Sequence, residues 1–201
     1  MKIPLFPLDV VLFPGTALPL HIFEDRYKEM IGECVVRKTG FGVVRAQREG
    51  LSVIGCTADI LQILEHYSDG RMDILCRGAE RFEIENLDNS RSFLQAEVDF
   101  FIDEGEIAGR AERELCLSLH FEAIELTGGE SANIALDPDQ PISFQLAAAA
   151  PSDLGFKQEL LSLRSDAERT GRLRLFYETV LPKLRRGVQA SKVASGNGHV
   201  M

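Results

Sequence analysis

His120 and Glu122 stand two positions apart, the H-x-E half of a signature in which a histidine ligates zinc and a glutamate moves protons. The other half, P-C-x-x-C, is absent, so the pair is expected to be an ordinary packed or solvent-facing histidine on a helix. Gly50-Leu51-Ser52-Val53-Ile54 begins like a nucleophile elbow but lacks its second glycine, and it carries no catalysis. Cys34, Cys56, Cys76 and Cys116 lie 22, 20 and 40 positions apart, too far for the paired spacing of a zinc site, and read as reduced structural thiols. His21 and His66 are isolated, and a lone imidazole is more often hydrogen-bonded structure than a base. The acid pairs Asp103-Glu104 and Asp137-Asp139 have no distal glutamate at calcium-loop spacing and fit exposed loops. No G-x-x-x-x-G-K-[ST] occurs, so nothing cradles a nucleotide phosphate, and ATP hydrolysis is excluded. No metal, cofactor or catalytic constellation is expected.

Composition narrows the partners. The 201 residues are 45% hydrophobic and 26% charged, ordinary for a soluble chain with a real core. No apolar run approaches the roughly 18 residues of a membrane span, and the opening lacks a signal-peptide pattern, which predicts a cytoplasmic protein. A net charge of −9 repels phosphate backbones and argues against nucleic acid, as do the acids Glu97, Asp99 and Asp103 bordering Phe93, Phe100 and Phe101. The charge is uneven: 83–130 holds 13 acids and 3 bases, whereas 164–192 holds 8 bases and 3 acids. Solvated faces usually cause such runs, although this polarity would also orient a partner or a second copy.

The elements that must position any site follow from periodicity. Prolines at 4, 7, 14 and 19 suit short edge strands joined by turns, with Val10–Phe13 a strand candidate closed by Pro14-Gly15. Phe23, Tyr27, Met30, Ile31 and Cys34 form one helical stripe, predicting a helix over 26–38 that Gly40 ends. The period then becomes two. Strands are expected at 41–44, 53–67, 72–76, 81–84 and 94–100, with Ser68-Asp69-Gly70 as a hairpin turn. Six or so short strands with one early helix suggest a small closed or half-closed barrel. Past Asp103 the composition turns helical. Helices are expected at 107–126, 142–149 and 157–163, and a last one capped by Ser165 and Glu168 should turn Leu173, Phe176, Tyr177, Val180 and Leu184 to one face. The organisation read is a β-barrel subdomain over 1–103, a helical subdomain over 104–186 and a disordered tail over 187–201.

Three blocks carry a family resemblance. Ile3-Pro4-Leu5-Phe6-Pro7-Leu8-Asp9-Val10-Val11-Leu12-Phe13-Pro14-Gly15, continuing to Met30, resembles the opening of the Lon protease amino-terminal, substrate-binding domain. Gly55-Cys56-Thr57-Ala58-Asp59-Ile60, then Asp69 to Gly78 and Arg81-Phe82-Glu83-Ile84, is similar to the domain's middle, and Ser143 to Ala147 with Lys157 to Leu161 is a weaker third match. Asp25 departs from the proline frequent in stand-alone relatives, which bears on helix entry. The resemblance implies an α+β protein: a PUA-like β pseudo-barrel with one early helix, then a C-terminal α-helical bundle. It further implies a non-enzymatic, stand-alone form without ATPase or peptidase domains. Such a protein would bind unfolded or extended polypeptide, or a protein partner such as a separate Lon-type protease, in quality control. Phe6, Phe13 and Phe23 are the candidate peptide contacts, each also readable as core. A PUA-like nucleic-acid module is the alternative, disfavoured by charge.

Overall fold

The computed structural model describes residues 1–128, 136–137 and 141–196, with side chains described to 190. The chain divides into a β unit, Met1–Asp103 with Asp153–Arg164, and a helical unit, Glu104–Ser152 with Ser165 onward. Among the described residues no helix is long and apolar enough to cross a membrane.

In the β unit the strands are β1 (Lys2–Leu8), β2 (Ala17–Ile22), β3 (Phe41–Gln47), β4 (Gly50–Leu51), β5 (Ile54–His66), β6 (Met72–Asp88) and β7 (Gln95–Phe101), with helix α1 over Asp25–Arg37. Five of them close a ring, β1-β7-β6-β5-β3, sealed by parallel pairing of β1 with β3 from Leu5↔Gly42 to Leu8↔Arg45. Ile3, Leu5, Val44, Phe82, Ala96 and Val98 fill it. A Cβ on Gly55 would sit 2.5 Å from the Phe82 ring, so only glycine leaves that ring its place.

β1 contradicts the expectation of proline-bearing edge strands, because it has neighbours on both sides. The prolines fit through alternation. Leu5 N–H donates to Leu94 O at 2.8 Å, so the Pro7 nitrogen points the same way, beyond the last β1–β7 pair, Pro4↔Gln95. The Pro4 nitrogen points towards β3 one residue before that pairing begins. Neither removes a donor the ladder needs.

Val10–Phe13 is not a strand. Its end is a turn in which the Phe13 carbonyl accepts from Thr16 Oγ1 at 2.7 Å and from Thr16 N–H at 3.2 Å. Local hydrogen bonds outweigh β-branched propensity here. Helix α1 buries Tyr27, Met30, Ile31 and Cys34 as its stripe predicts. It ends earlier than expected, on Lys38 in the left-handed region (φ 54°), and Gly40 instead passes Ala58 O too closely for a side chain.

β6 is one strand of 17 residues where two were expected. Its second half belongs to the ring; its first half, Met72–Arg77, carries β2 on one side and the outer half of β5 on the other, an arm of order β2-β6-β5. Arg91 clasps Glu29 and Glu33, holding α1 against the loop before β7.

The remaining helices are α2 (Arg110–Leu126), α3 (Ile142–Ala149), α4 (Leu154–Ser162) and α5 (Asp166–Gly196). α4 belongs to the β unit: Arg81, 3% exposed, donates to Leu161 O at 3.1 Å and to Leu163 O at 2.5 Å, and pairs with Asp103. Gln158 donates to Ile54 O at 3.0 Å. In the helical unit Leu173, Tyr177 and Leu181 are the buried apolar positions of α5, with Asp166, Arg169 and Thr170 buried near its start, while Phe176, Val180 and Leu184 are half-buried; Glu168 N–H donates to Ser165 Oγ as the capping box requires. Asp166 accepts from Ser143 Oγ and from Ala108 N–H, stitching α3 and the approach to α2 onto the first turn of α5. The tail expected from Gly187 is helical through Gly196, because α5 continues past Pro182 without a stop signal; 197–201 lie outside the described residues. The uneven charge is used in part within this unit, where Arg174 pairs with Glu112 and Arg185 with Glu122.

Candidate functional site

Reactive side chains are built into structure. All four cysteines are buried and free, and burial pushes the thiols of Cys56, Cys76 and Cys116 up to about 12, where they stay protonated and unreactive. His120 lies fully buried between α2 and α5, with Nδ1 2.7 Å from the Tyr177 hydroxyl; desolvation lowers it to about 4 and keeps the ring neutral. Among the described residues no three His, Cys, Asp or Glu side chains gather to hold a metal ion.

The three phenylalanines part company. Phe13 is 0% exposed, and its carbonyl comes so close to Gly78 that a Cβ there would lie 2.1 Å from it; as a ready peptide contact it is corrected to core. Phe6 is nearly buried, stacked on Tyr27 with centroids 4.0 Å apart. Phe23 is 59% exposed beside His21, whose Nδ1 lies 2.5 Å from Asp73, which also accepts from the Tyr67 hydroxyl at 2.7 Å. The two bonds hold the Asp73 carboxyl below its usual range, His21 contributing most. Phe6 and Phe23 line one cleft of about 300 Å³ with Leu20, Ile22 and Tyr27, along the β2 side of the arm.

A larger groove of about 440 Å³ lies on the other side of the arm, between the end of α1 (Cys34, Val35, Lys38) and β5 (Asp59 to Ile63). Two features make it unusual. First, β3 pairs with β5 only as far as Ala58, so among the described residues the outer half of β5 is an open edge. Secondly, that edge carries two irregularities of register: Ile60 pairs with Cys76 but Gln62 with Leu75, and Ile63 pairs with Ile74 but Glu65 with Asp73. The residue left over each time is a leucine, Leu61 and then Leu64. Bulges break the two-residue alternation and re-aim side chains, which is why Leu61, Gln62, Ile63 and Leu64 are all exposed. Val35 and Val36 on α1 are exposed too, so apolar surface flanks the groove on both walls. Such an arrangement takes an apolar segment by its side chains, with free backbone groups of the edge beside it. The groove escaped the reading of the sequence because a continuous run Val53–Tyr67 looks like a buried strand; nothing in the run marks where its partner strand stops.

Compared with known proteins, residues 2–176 match the family described as the ATP-dependent protease La (LON) substrate-binding domain. Lon protease 2 of Syntrophobacter fumaroxidans is 28% identical over 74% of this chain and 20% of its own length. The Lon protease of Parabacteroides distasonis is 34% identical over 50% of this chain and 13% of its own. The chain thus spans a fifth or less of these relatives. Among solved structures, a Lon N-terminal domain protein from Xanthomonas campestris superposes with a TM-score of 0.69 at 24% identity, covering 86% of this chain and 96% of that one. The N-terminal domain of Mycobacterium avium complex Lon protease gives 0.67 at 19%, over 89% and 98%.

Proposed function

This chain belongs to the Lon substrate-binding domain family, and from that premise we propose that it is a non-enzymatic cytoplasmic receptor for unfolded or extended polypeptide segments, acting in protein quality control. The groove between α1 and β5 is the main seat, and the cleft holding Phe6 and Phe23 is a second. One observation carries the choice of seat: two bulges three residues apart each turn a leucine out of a strand whose edge is already open. Exposed apolar side chains beside a groove are costly unless a partner covers them. The match reaches only a substrate-binding domain, and the buried cysteines and neutral His120 offer no nucleophile or base, which supports recognition without chemistry. A separate Lon-type protease that receives the captured segment is the partner this reading names.

The test is a fluorescence-anisotropy titration with a labelled, permanently unfolded polypeptide and its folded counterpart. Saturable binding of the unfolded form alone, persisting at high salt, is the expected result. Leu61→Asp with Leu64→Asp should abolish it at an unchanged melting temperature, since both side chains already face water. Equal binding of the folded form, or a double variant that binds as well as the parent, would overturn the assignment.

A further inference from the structure

β5 spells Asp59-Ile60-Leu61-Gln62-Ile63-Leu64-Glu65, an apolar run closed at each end by an acid. Both acids are exposed, and among the described residues no ion pair reaches either carboxylate. No lysine or arginine occurs between Arg48 and Arg71, although lysine is the usual guard on an open strand edge. At the Glu65 end the register partner is Asp73, whose carboxylate is already held by His21 and by the Tyr67 hydroxyl, so no lysine or arginine of the ladder stands opposite Glu65. At the other end Asp59 faces Arg77 on β6, which makes this the weaker anion. Among the residues lining the groove Lys38, on the α1 wall, is the one base and Asp59, on β5, the one acid, while Glu65 lies two residues past the lining on the same open edge.

Resting on the proposed function, we propose that the groove and the open edge beyond it select apolar segments flanked on both sides by lysine or arginine: a core of about three residues with a base at each end, the stronger demand being for the base beside Glu65. Asp59 and Glu65 are six positions apart in sequence, but across the two bulges they oppose Arg77 and Asp73, four positions apart on β6, a span of about 13 Å along an extended strand, so bases about four apart in an extended ligand reach both. The occupant is a polypeptide whose charge complements the edge; a strand with acidic flanks meets the carboxylates of Asp59 and Glu65 and is refused.

The experiment uses three labelled peptides with one apolar core and Lys, Ser or Glu at the two flanking positions, titrated by anisotropy at low salt and in 1 M NaCl. The Lys-flanked peptide should bind about fivefold tighter than the Ser-flanked one at low salt, as two exposed cross-strand ion pairs allow, with the Glu-flanked peptide weakest. The spread should collapse in 1 M NaCl, where screening acts within about 3 Å. In the Asp59→Lys, Glu65→Lys variant the order should invert, and because both positions are exposed its melting temperature serves as the folding control. Equal affinities for all three peptides, or an order unchanged by the charge reversal, would overturn the inference while leaving the receptor function standing. Failure of all three to bind would overturn both.

Discussion

At the residue scale, three phenylalanines of one segment have three fates that their spacing does not distinguish. Phe13 is sealed because Gly78, 65 positions later, has no side chain to hold it off; Phe23 stands in water because β2 ends one residue before it. Phe13→Ala should therefore cost about 3–5 kcal/mol in guanidinium unfolding, whereas Phe23→Ala should leave the midpoint unchanged and weaken polypeptide binding. His120 offers a sharper test. Its folded-state value of about 4 lies below the ordinary 6.5, so the unfolded chain binds the extra proton first as the medium acidifies. Stability is full above pH 6.5 and is lost as the pH falls towards 4, by roughly 3 kcal/mol for a shift of this size. Unfolding of His120→Phe should lack that part of the acid slope; an identical slope in both proteins would show that His120 is not the titrating group.

Elements were legible where one periodicity ran unbroken. The α1 stripe, the Asp-Gly hairpin and the alternation of β7 all read directly from the chain, since each is dictated by neighbours within a few residues. What did not read is what depends on a distant strand. Prolines 4 and 7 announced an edge and sit inside a ring, because only the staggered ends of the β3 and β7 pairings make room for a missing N–H. The two leucine bulges of β5 are likewise invisible in a run that counts as apolar throughout. Deleting Leu61 should remove the first bulge, leaving Gln62 opposite Leu75 directly after Ile60 in a regular ladder and taking one outturned leucine from the groove. The expected outcome is loss of segment binding with retained strand signal in circular dichroism.

On the scale of the whole molecule, the two halves of the sequence are not the two units of the structure. Asp153–Arg164 leaves the helical stretch and joins the β unit, where the most buried tie is Arg81: a guanidinium buried in the barrel wall needs acceptors, and the end of α4 supplies two carbonyls, with Gln158 to Ile54 O and Arg164 to Glu83 beside it. Arg81→Met should cost about 3 kcal/mol, the range found when one partner of a buried polar set is removed, measured as a shift in the guanidinium midpoint. A fragment ending at Asp103 should unfold at lower denaturant than the intact chain for the same reason.

That long reach also sets a schedule. The acceptors of Arg81 lie 80 and 82 positions downstream, so a ribosome adding roughly 5–20 residues each second emits the whole ring about 3–12 seconds before it completes α4. During that interval the nascent barrel must keep a charged side chain in a wall that is not yet closed over it, while Leu61 and Leu64 already stand bare on the neighbouring arm. A protein proposed to hold unfolded segments thus passes through its own synthesis as one.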